Sequence, residues 1–110
     1  MAHDITIKGQ ISPEQITAIA EEGFKTIINN RPDGEEHGQP TNADLAAAAE
    51  KAGIAYKEIS FAGNALTQNH VEDFADYFNQ AEQPILIFCR TGARSTGIYE
   101  AAKRMDLLDD

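Results

Sequence analysis

The chain has 110 residues, of which 42% are hydrophobic and 25% charged, a composition typical of an ordinary soluble globular protein with one domain, 1–110. Its 18 acidic and 9 basic residues give a formal net charge of −9, which opposes binding to nucleic acid or to an anionic membrane surface. A single cysteine excludes an internal disulfide and a multi-cysteine zinc site, no apolar run approaches the ~20 residues of a membrane span, and we expect no metal or cofactor.

In the first half of the chain, strand-like and helix-like segments alternate. Apolar and polar residues alternate at positions 5–7 and predict a first strand. Ser-Pro-Glu-Gln at 12–15 predicts a helix start, because serine caps a helix, proline suits its first turn and glutamine reaches back to the cap. Gly23 ends this helix. Residues 24–30 then predict a strand, followed by a polar loop at 31–40 with two glycines and two prolines.

The second half of the chain continues the same alternation. A helix is predicted from Thr41 or Asn42 to Gly53, and a strand over 54–61. Another helix opens at residues 67–70, the apolar run 85–88 predicts a buried strand, and a last helix covers 94–105. This order predicts a single α/β domain with a mainly parallel, four- to five-stranded sheet flanked by helices.

The two ends of the chain carry weaker signals. The first residues, Met-Ala-His-Asp, lack the basic and apolar regions of a secretory signal, so we expect a cytoplasmic location. A lone thiol stays reduced in such a compartment. We expect the acidic residues 106–110 to form a frayed tail.

The strongest functional signal is the cysteine that directly follows the predicted strand 85–88. Ligands bind at the carboxyl ends of strands in open α/β sheets, and Cys89 stands at such an end. The backbone N–H groups of the turn and the start of the next helix would point at its thiol, while Arg94 offers a planar fork to two oxygens of an oxyanion. These groups would lower the cysteine pKa from ~8.5 into the range of ~3.5–7.5.

Cys89 and Arg94 are therefore the candidate catalytic residues. The turn between and after them supplies candidate substrate-binding groups, and Gly92 gives it the freedom to bend sharply. These candidates are Arg90, Thr91, Gly92, Ala93 and Ser95.

A different interpretation of this cysteine has to be weighed against catalysis. A lone cysteine after an apolar strand is ordinarily a small buried hydrophobic residue. Two arginines around a glycine, at a strand-to-helix turn of an acidic chain, favour an activated nucleophile instead.

The motif Cys-Arg-Thr-Gly-Ala-Arg at 89–94 resembles the active-site loop of rhodanese sulfurtransferases, Cys-Arg-x-Gly-x-Arg/Thr. It is also similar to the phosphate loop of cysteine-based protein phosphatases, Cys-x5-Arg followed by serine or threonine. Compared with that loop it is one residue shorter, and Ser95 takes the place of the hydroxyl residue.

Beyond the motif, residues 11–104 resemble the phosphatase-like domain of the beta-lactamase-hydrolase-like family. The matching segments are Ile-Ser-Pro-Glu-Gln at 11–15, Ile-Ile-Asn-Asn-Arg-Pro-Asp-Gly-Glu-Glu at 27–36, Gly-Gln-Pro at 38–40 and the cysteine loop. The resemblance implies a dual-specificity-phosphatase-like, rhodanese-like fold. Because that family is often fused to a persulfide dioxygenase, it also implies such an enzyme as a candidate partner.

The reaction depends on whether a general acid is present. A phosphatase must protonate its leaving alcohol, and phosphatases of this fold usually carry an aspartate just past the strand that corresponds to 56–61. Residues 61–66 contain no acid here. Asp33 is the candidate substitute, although Pro-Asp-Gly is also an ordinary turn sequence.

Arg31 follows the second predicted strand, and the family pattern places it near the site. It is a candidate substrate-binding residue. It could equally pair with Glu35 or Glu36 as a surface ion pair, which would contribute little stability.

Sulfur transfer is our leading hypothesis, because the short loop favours a persulfide sulfur over a phosphoryl group and no strong acid is needed. Cys89 would take sulfane sulfur from a small anionic donor, thiosulfate or a persulfide, and pass it to a thiol acceptor. The alternative is a tyrosine or dual-specificity-type phosphatase acting on a phosphoester through a Cys89 phosphocysteine. A second alternative is a non-catalytic module that binds an anion or a partner.

Overall fold

In the computed structural model, which describes residues 3–109, strands and helices alternate along the chain as predicted. Met1, Ala2 and Asp110 lie outside the described residues, and with them part of the segment that bears on location. The elements are β1 (Ile5–Lys8), α1 (Pro13–Glu21), β2 (Thr26–Asn29), α2 (Asn42–Ala52), β3 (Ala55–Glu58), α3 (Gln68–Gln80), β4 (Ile85–Phe88) and α4 (Ala93–Arg104).

The four strands form one sheet in the order β1-β4-β2-β3, and each of its pairings is parallel. All four residues of β2 and of β4 are buried, as expected of central strands covered by helices on both faces. The edge strands β1 and β3 are partly exposed. The predicted α/β fold with a parallel sheet is therefore confirmed, with four strands. Its order places the carboxyl ends of β2 and β4 side by side.

The core lies in two layers, one on each face of the sheet. Ile85 and Ile87 point toward α3 and α4, whereas Leu86 and Phe88 point toward α1 and α2. This alternation follows from the two-residue period of a strand. Both layers cover β4, so the residue that follows it is held by a strand that is buried along its whole length.

Two helices begin with a side chain that accepts from the backbone N–H of the cap residue, and the first of these contacts is the one that Ser-Pro-Glu-Gln predicts. The backbone N–H of Ser12 donates to the side chain of Gln15 at 2.8 Å, ahead of α1. Ahead of α3, the backbone N–H of Thr67 donates to Nδ1 of His70 at 3.0 Å. These contacts satisfy N–H groups that a helix start leaves without a partner.

The expectation of a frayed tail is wrong as far as Asp109. Asn79 of α3 donates to the carbonyl of Leu107 at 2.9 Å and accepts from the N–H of Asp109 at 2.9 Å, while Leu108 is buried against the α3 and α4 layer. Asn79 and the burial of Leu108 therefore hold the segment that was predicted to be frayed from its acidic composition. Within the described part of the chain, no helix is both long and apolar enough to cross a membrane.

Replacement of a central strand residue should be costly. Ile87 is fully buried in β4, so Ile87→Ala should lower the free energy of unfolding by about 2–5 kcal/mol, through lost burial and the cavity left behind. Urea unfolding followed by circular dichroism measures this. Ile5→Ala, at a half-buried position of the edge strand β1, should cost clearly less. Equal losses for the two variants would contradict the central placement of β4.

Candidate active site

The turn between β4 and α4 wraps around the sulfur of Cys89. The cysteine is 1% exposed, and the N–H of Gly92 donates to its Sγ at 3.0 Å. Gly92 has a φ of 100°, and a Cβ there would lie 3.4 Å from Cγ2 of Ile7. Only glycine adopts this left-handed conformation without strain. The tight turn thus depends on the glycine of the motif.

The backbone around Cys89 favours its thiolate form. Burial raises the pKa of the thiol, but hydrogen bonds from the backbone N–H groups of Ser95, Gly92, Thr91 and Arg94 outweigh it and bring the pKa below its ordinary value. N–H groups that converge on one atom form an anion-binding concavity. The arrangement favours the thiolate of a nucleophile held at the start of a helix.

Arg94 lies between this sulfur and a carboxylate. Its Nη1 donates to Oε2 of Glu35 at 2.8 Å and to the carbonyl of Phe61 at 3.1 Å, and its Nη2 donates to Oε1 of Glu35 at 2.7 Å. Hydrogen bonding to Glu35, with a smaller contribution from the Cys89 sulfur, raises the pKa of Arg94. The guanidinium therefore stays charged beside the nucleophile.

Glu35 joins two arginines. Besides the Arg94 fork it accepts from Nε of Arg31 at 2.8 Å. The hydrogen bonds from Arg94 and then Arg31 overcome partial desolvation and hold its pKa at about 2, against an ordinary value of 4.5. Sequence reasoning considered Glu35 only as a partner of Arg31 and missed its contact with Arg94. The signal that could have indicated this contact is the acidic loop after β2, because β2 neighbours β4.

Arg31 is buried, with 1% of its surface exposed. In addition to Glu35, it donates through Nη1 to Gln10 at 2.9 Å and through Nη2 to Glu36 at 3.0 Å. Its pairing with the two glutamates is thus observed, but the arginine itself is buried, unlike in the surface pair expected. Its direct contact with substrate stays a prediction.

The backbone of Ser95 belongs to the cysteine site, whereas its side chain binds a residue that follows β2. Its hydroxyl donates to Oδ1 of Asn30 at 2.8 Å, and Nδ2 of Asn30 donates to the carbonyl of Ile59 at 2.8 Å. Both side chains are buried, and buried amides need such partners. Asn30 ties the first turn of α4 to β2 and was missed by sequence reasoning, although an Asn-Asn pair ending an apolar strand could have marked it.

The remaining loop residues have mixed surroundings. The side chain of Arg90 is exposed, and its carbonyl accepts from the N–H of Gln10 at 3.1 Å. The N–H of Ala93 donates to the hydroxyl of Thr91 at 3.3 Å. The side chain of Arg90 therefore lies at the surface next to the cysteine loop. Substrate binding by Arg90, Thr91 and Ala93 stays a prediction.

Asp33 anchors the loop after β2. Its Oδ1 accepts from the backbone N–H and from the side-chain amide of Asn42, at 2.8 and 2.9 Å, at the start of α2. These contacts fit the turn interpretation of Pro-Asp-Gly. Its role as a general acid stays a prediction. Among residues 3–109, no cluster of three or more His, Cys, Asp or Glu side chains is arranged to hold a metal ion.

Cys89 should react with iodoacetamide at lower pH than a free thiol does, because only the thiolate is alkylated and the loop lowers its pKa. The measurement is the alkylation rate between pH 5 and 9, compared with that of free cysteine. As the chain has one cysteine, the signal is unambiguous. A profile that coincides with that of the free thiol would contradict the activated state.

Glu35 should stabilise the fold in a pH-dependent manner. Its folded pKa of about 2 lies below the ordinary 4.5, so the stabilisation is present above pH 4.5 and is lost as the pH falls toward 2. Glu35→Gln should therefore be less stable than the parent at pH 7, and this difference should shrink toward pH 2 in urea unfolding. Glu14→Gln, at an exposed position of α1, controls for loss of one charge. A pH-independent difference would contradict an ionic role for Glu35.

Known proteins are similar to this chain in sequence. Residues 1–105 match the family described as beta-lactamase hydrolase-like protein, phosphatase-like domain. The chain is 36% identical to the beta-lactamase hydrolase-like protein of Agrobacterium fabrum and 33% identical to that of Xylella fastidiosa, over 102 residues in each case. Each match covers 93% of this chain and 24% of the relative, so the chain spans about a quarter of the length of these relatives.

Solved structures agree with this assignment. A protein from Neisseria meningitidis, provisionally named a phosphatase, superposes with a TM-score of 0.81 at 34% identity, covering 89% of this chain and 70% of that one. The core catalytic domain of the PP-IP phosphatase SIW14 from S. cerevisiae, in complex with citrate, superposes at 0.62 with 18% identity, covering 92% and 70%, and shares the fold. The chain belongs to the beta-lactamase hydrolase-like family, as its phosphatase-like domain, with a cysteine-based phosphatase fold.

Proposed function

We propose that this chain is a sulfurtransferase in which the Cys89 thiolate takes sulfane sulfur from a small anionic donor. The observation that carries the proposal is that the three carboxylates of the loop after β2 are already engaged: Asp33 by Asn42, Glu35 by two arginines, and Glu36 by Arg31. A reaction that needs no proton donor fits such a site best.

The state of Glu35 is central to this argument. With a pKa of about 2 it is an anion at neutral pH and cannot protonate a leaving alcohol. Sulfite and thiolates of low pKa leave without protonation. Sulfur transfer therefore requires only the nucleophile and the groups that hold the donor.

The proposed reaction has two displacements at sulfur. Cys89–S⁻ attacks the outer sulfur of thiosulfate, a new S–S bond forms, and sulfite leaves with the electron pair of the broken bond. A thiolate acceptor, or cyanide in the assay, then attacks the outer sulfur of the Cys89 persulfide and restores the thiolate. The loop N–H groups and Arg94 would stabilise the donor anion and the persulfide anion.

A persulfide dioxygenase, which would consume the persulfide of a thiol acceptor, remains the candidate partner. The family resemblance implies this partner.

Phosphoryl transfer is the second candidate, and the comparisons favour it. The Neisseria meningitidis structure at 34% identity is provisionally named a phosphatase, and SIW14, which shares the fold, is one. Cys89 would then attack phosphorus and form a phosphocysteine that water hydrolyses. Because the carboxylates of the loop already accept hydrogen bonds from other residues, such an enzyme should prefer phosphates whose leaving groups have a low pKa, such as nitrophenolate, over alkyl phosphates.

A paired assay on the purified chain separates these reactions. One arm supplies thiosulfate and cyanide and follows thiocyanate, and the other supplies para-nitrophenyl phosphate and follows nitrophenolate. We expect thiocyanate formation that falls by roughly 1,000-fold or more in Cys89→Ser, because the nucleophile is lost, and little nitrophenolate.

The opposite pattern, cysteine-dependent nitrophenolate without thiocyanate, would replace sulfur transfer by the phosphatase reaction. Sulfate binding that protects Cys89 from iodoacetamide, with no turnover in either arm, would indicate the non-catalytic module instead. The Cys89→Ser variant controls for reactions of the donors with buffer or with a contaminating enzyme.

A further inference from the structure

Three charged side chains connect the loop after β2 to the nucleophile. We call Arg31, Glu35 and Arg94 the arginine relay. Arg31 donates to Glu35 at 2.8 Å, and Glu35 accepts from both terminal nitrogens of Arg94 at 2.7 and 2.8 Å. Arg94 in turn lies close enough to Cys89 for the sulfur to contribute to the raised pKa of the guanidinium. The relay thus runs from a buried arginine to the guanidinium beside the reacting atom.

Arg31 is the fixed end of this relay. Each of its three guanidinium nitrogens has a partner, namely Gln10, Glu35 and Glu36, and its side chain is 1% exposed. A planar guanidinium with three acceptors has little freedom to rotate. Glu35, which is 26% exposed, is therefore held from the side of the protein interior.

The bonds to Glu35 decide which edge of Arg94 is left for a ligand. Nη1 uses both of its hydrogens, on Glu35 and on the carbonyl of Phe61, and Nη2 uses one on Glu35. This leaves Nε–H and the second Nη2 hydrogen, which form a parallel pair on one edge of the guanidinium. Such a pair matches two oxygens of an oxyanion.

Charge balance gives Arg31 a second effect. Glu35 and Arg94 alone would form a neutral pair beside Cys89, in a chain of net charge −9. Glu36 adds a further carboxylate through its bond to Arg31, so the two arginines and two glutamates together are neutral. Without Arg31 the same group would carry a net negative charge, which would repel an incoming donor anion.

We propose that Arg31 is a positioning residue that acts through Glu35 to present the free edge of Arg94 to an oxyanion at Cys89. This deepens the proposed function and rests on it only in taking Cys89 as the nucleophile. Arg31 itself need not touch the substrate. Its removal should weaken anion binding because Arg94 loses its orientation.

The experiment measures anion binding without turnover. Inorganic sulfate should protect Cys89 from iodoacetamide, and the sulfate concentration for half protection gives an apparent Kd. The variants are Glu35→Gln and Arg31→Lys, which keeps a charge but cannot hold three acceptors in a plane. Glu36→Gln is the matched control, since it also neutralises a carboxylate partner of Arg31, and Glu36 makes no contact with Arg94. Circular dichroism restricts the comparison to folded samples.

We expect Glu35→Gln to raise the apparent Kd of sulfate by about 10-fold or more and Arg31→Lys to raise it measurably, as is usual when a supporting residue is lost. Glu36→Gln should change it by less than about 3-fold, in line with a weak exposed pair. If Arg31 acts through Glu35, the double variant Arg31→Lys/Glu35→Gln should bind sulfate no more weakly than Glu35→Gln alone.

Two results would overturn the relay. Tighter sulfate binding by Glu35→Gln would show that Glu35 competes with the anion for Arg94. Additive losses in the double variant would show that Arg31 acts independently of Glu35. Failure of the proposed function looks different: sulfate protection would respond to the variants as described, while the parent chain would form no thiocyanate.

Discussion

The structure depends on the convergence of backbone N–H groups on one sulfur at the carboxyl end of β4. Burial alone would raise the pKa of the Cys89 thiol, and hydrogen bonds from four backbone N–H groups outweigh burial and bring the pKa below its ordinary value. Backbone donors are aimed by the fold rather than by flexible side chains, so the site requires a well-held strand and a sharp turn. The buried strand β4, packed on both faces, and the left-handed Gly92 meet those requirements.

Polar contacts across the edge of the sheet complete this arrangement. Ser95 holds the first turn of α4 against Asn30, so the helix that supplies the N–H groups is fixed to the neighbouring strand β2. The loop after β2 then brings Glu35 to Arg94. A buried arginine such as Arg31 is costly to desolvate, and its three acceptors offset that cost. The site thus draws on two adjacent strands and the loops that follow them.

Family membership and reaction are separate conclusions. The fold is that of cysteine-based phosphatases. A thiolate in an anion-binding turn of this fold can serve phosphoryl transfer or sulfur transfer alike. What distinguishes the reactions is the proton demand of the leaving group. Here Asp33 and Glu35 are engaged by amide and guanidinium groups, so proton donation is the function that the loop is least suited to provide.

The sequence by itself determined the alternation of strands and helices, the parallel sheet and the position of Cys89 before a glycine turn. These follow from hydrophobic periodicity, helix capping and glycine conformation, all of which act over a few neighbouring residues. Only the tertiary structure decided which side chains meet. Glu35 and Arg94 are 59 positions apart, and their contact depends on β2 lying beside β4. The burial of Arg31 and the docking of residues 107–109 on Asn79 were likewise undetermined by sequence, because composition marks a residue as polar or charged but does not specify the partner that can satisfy it.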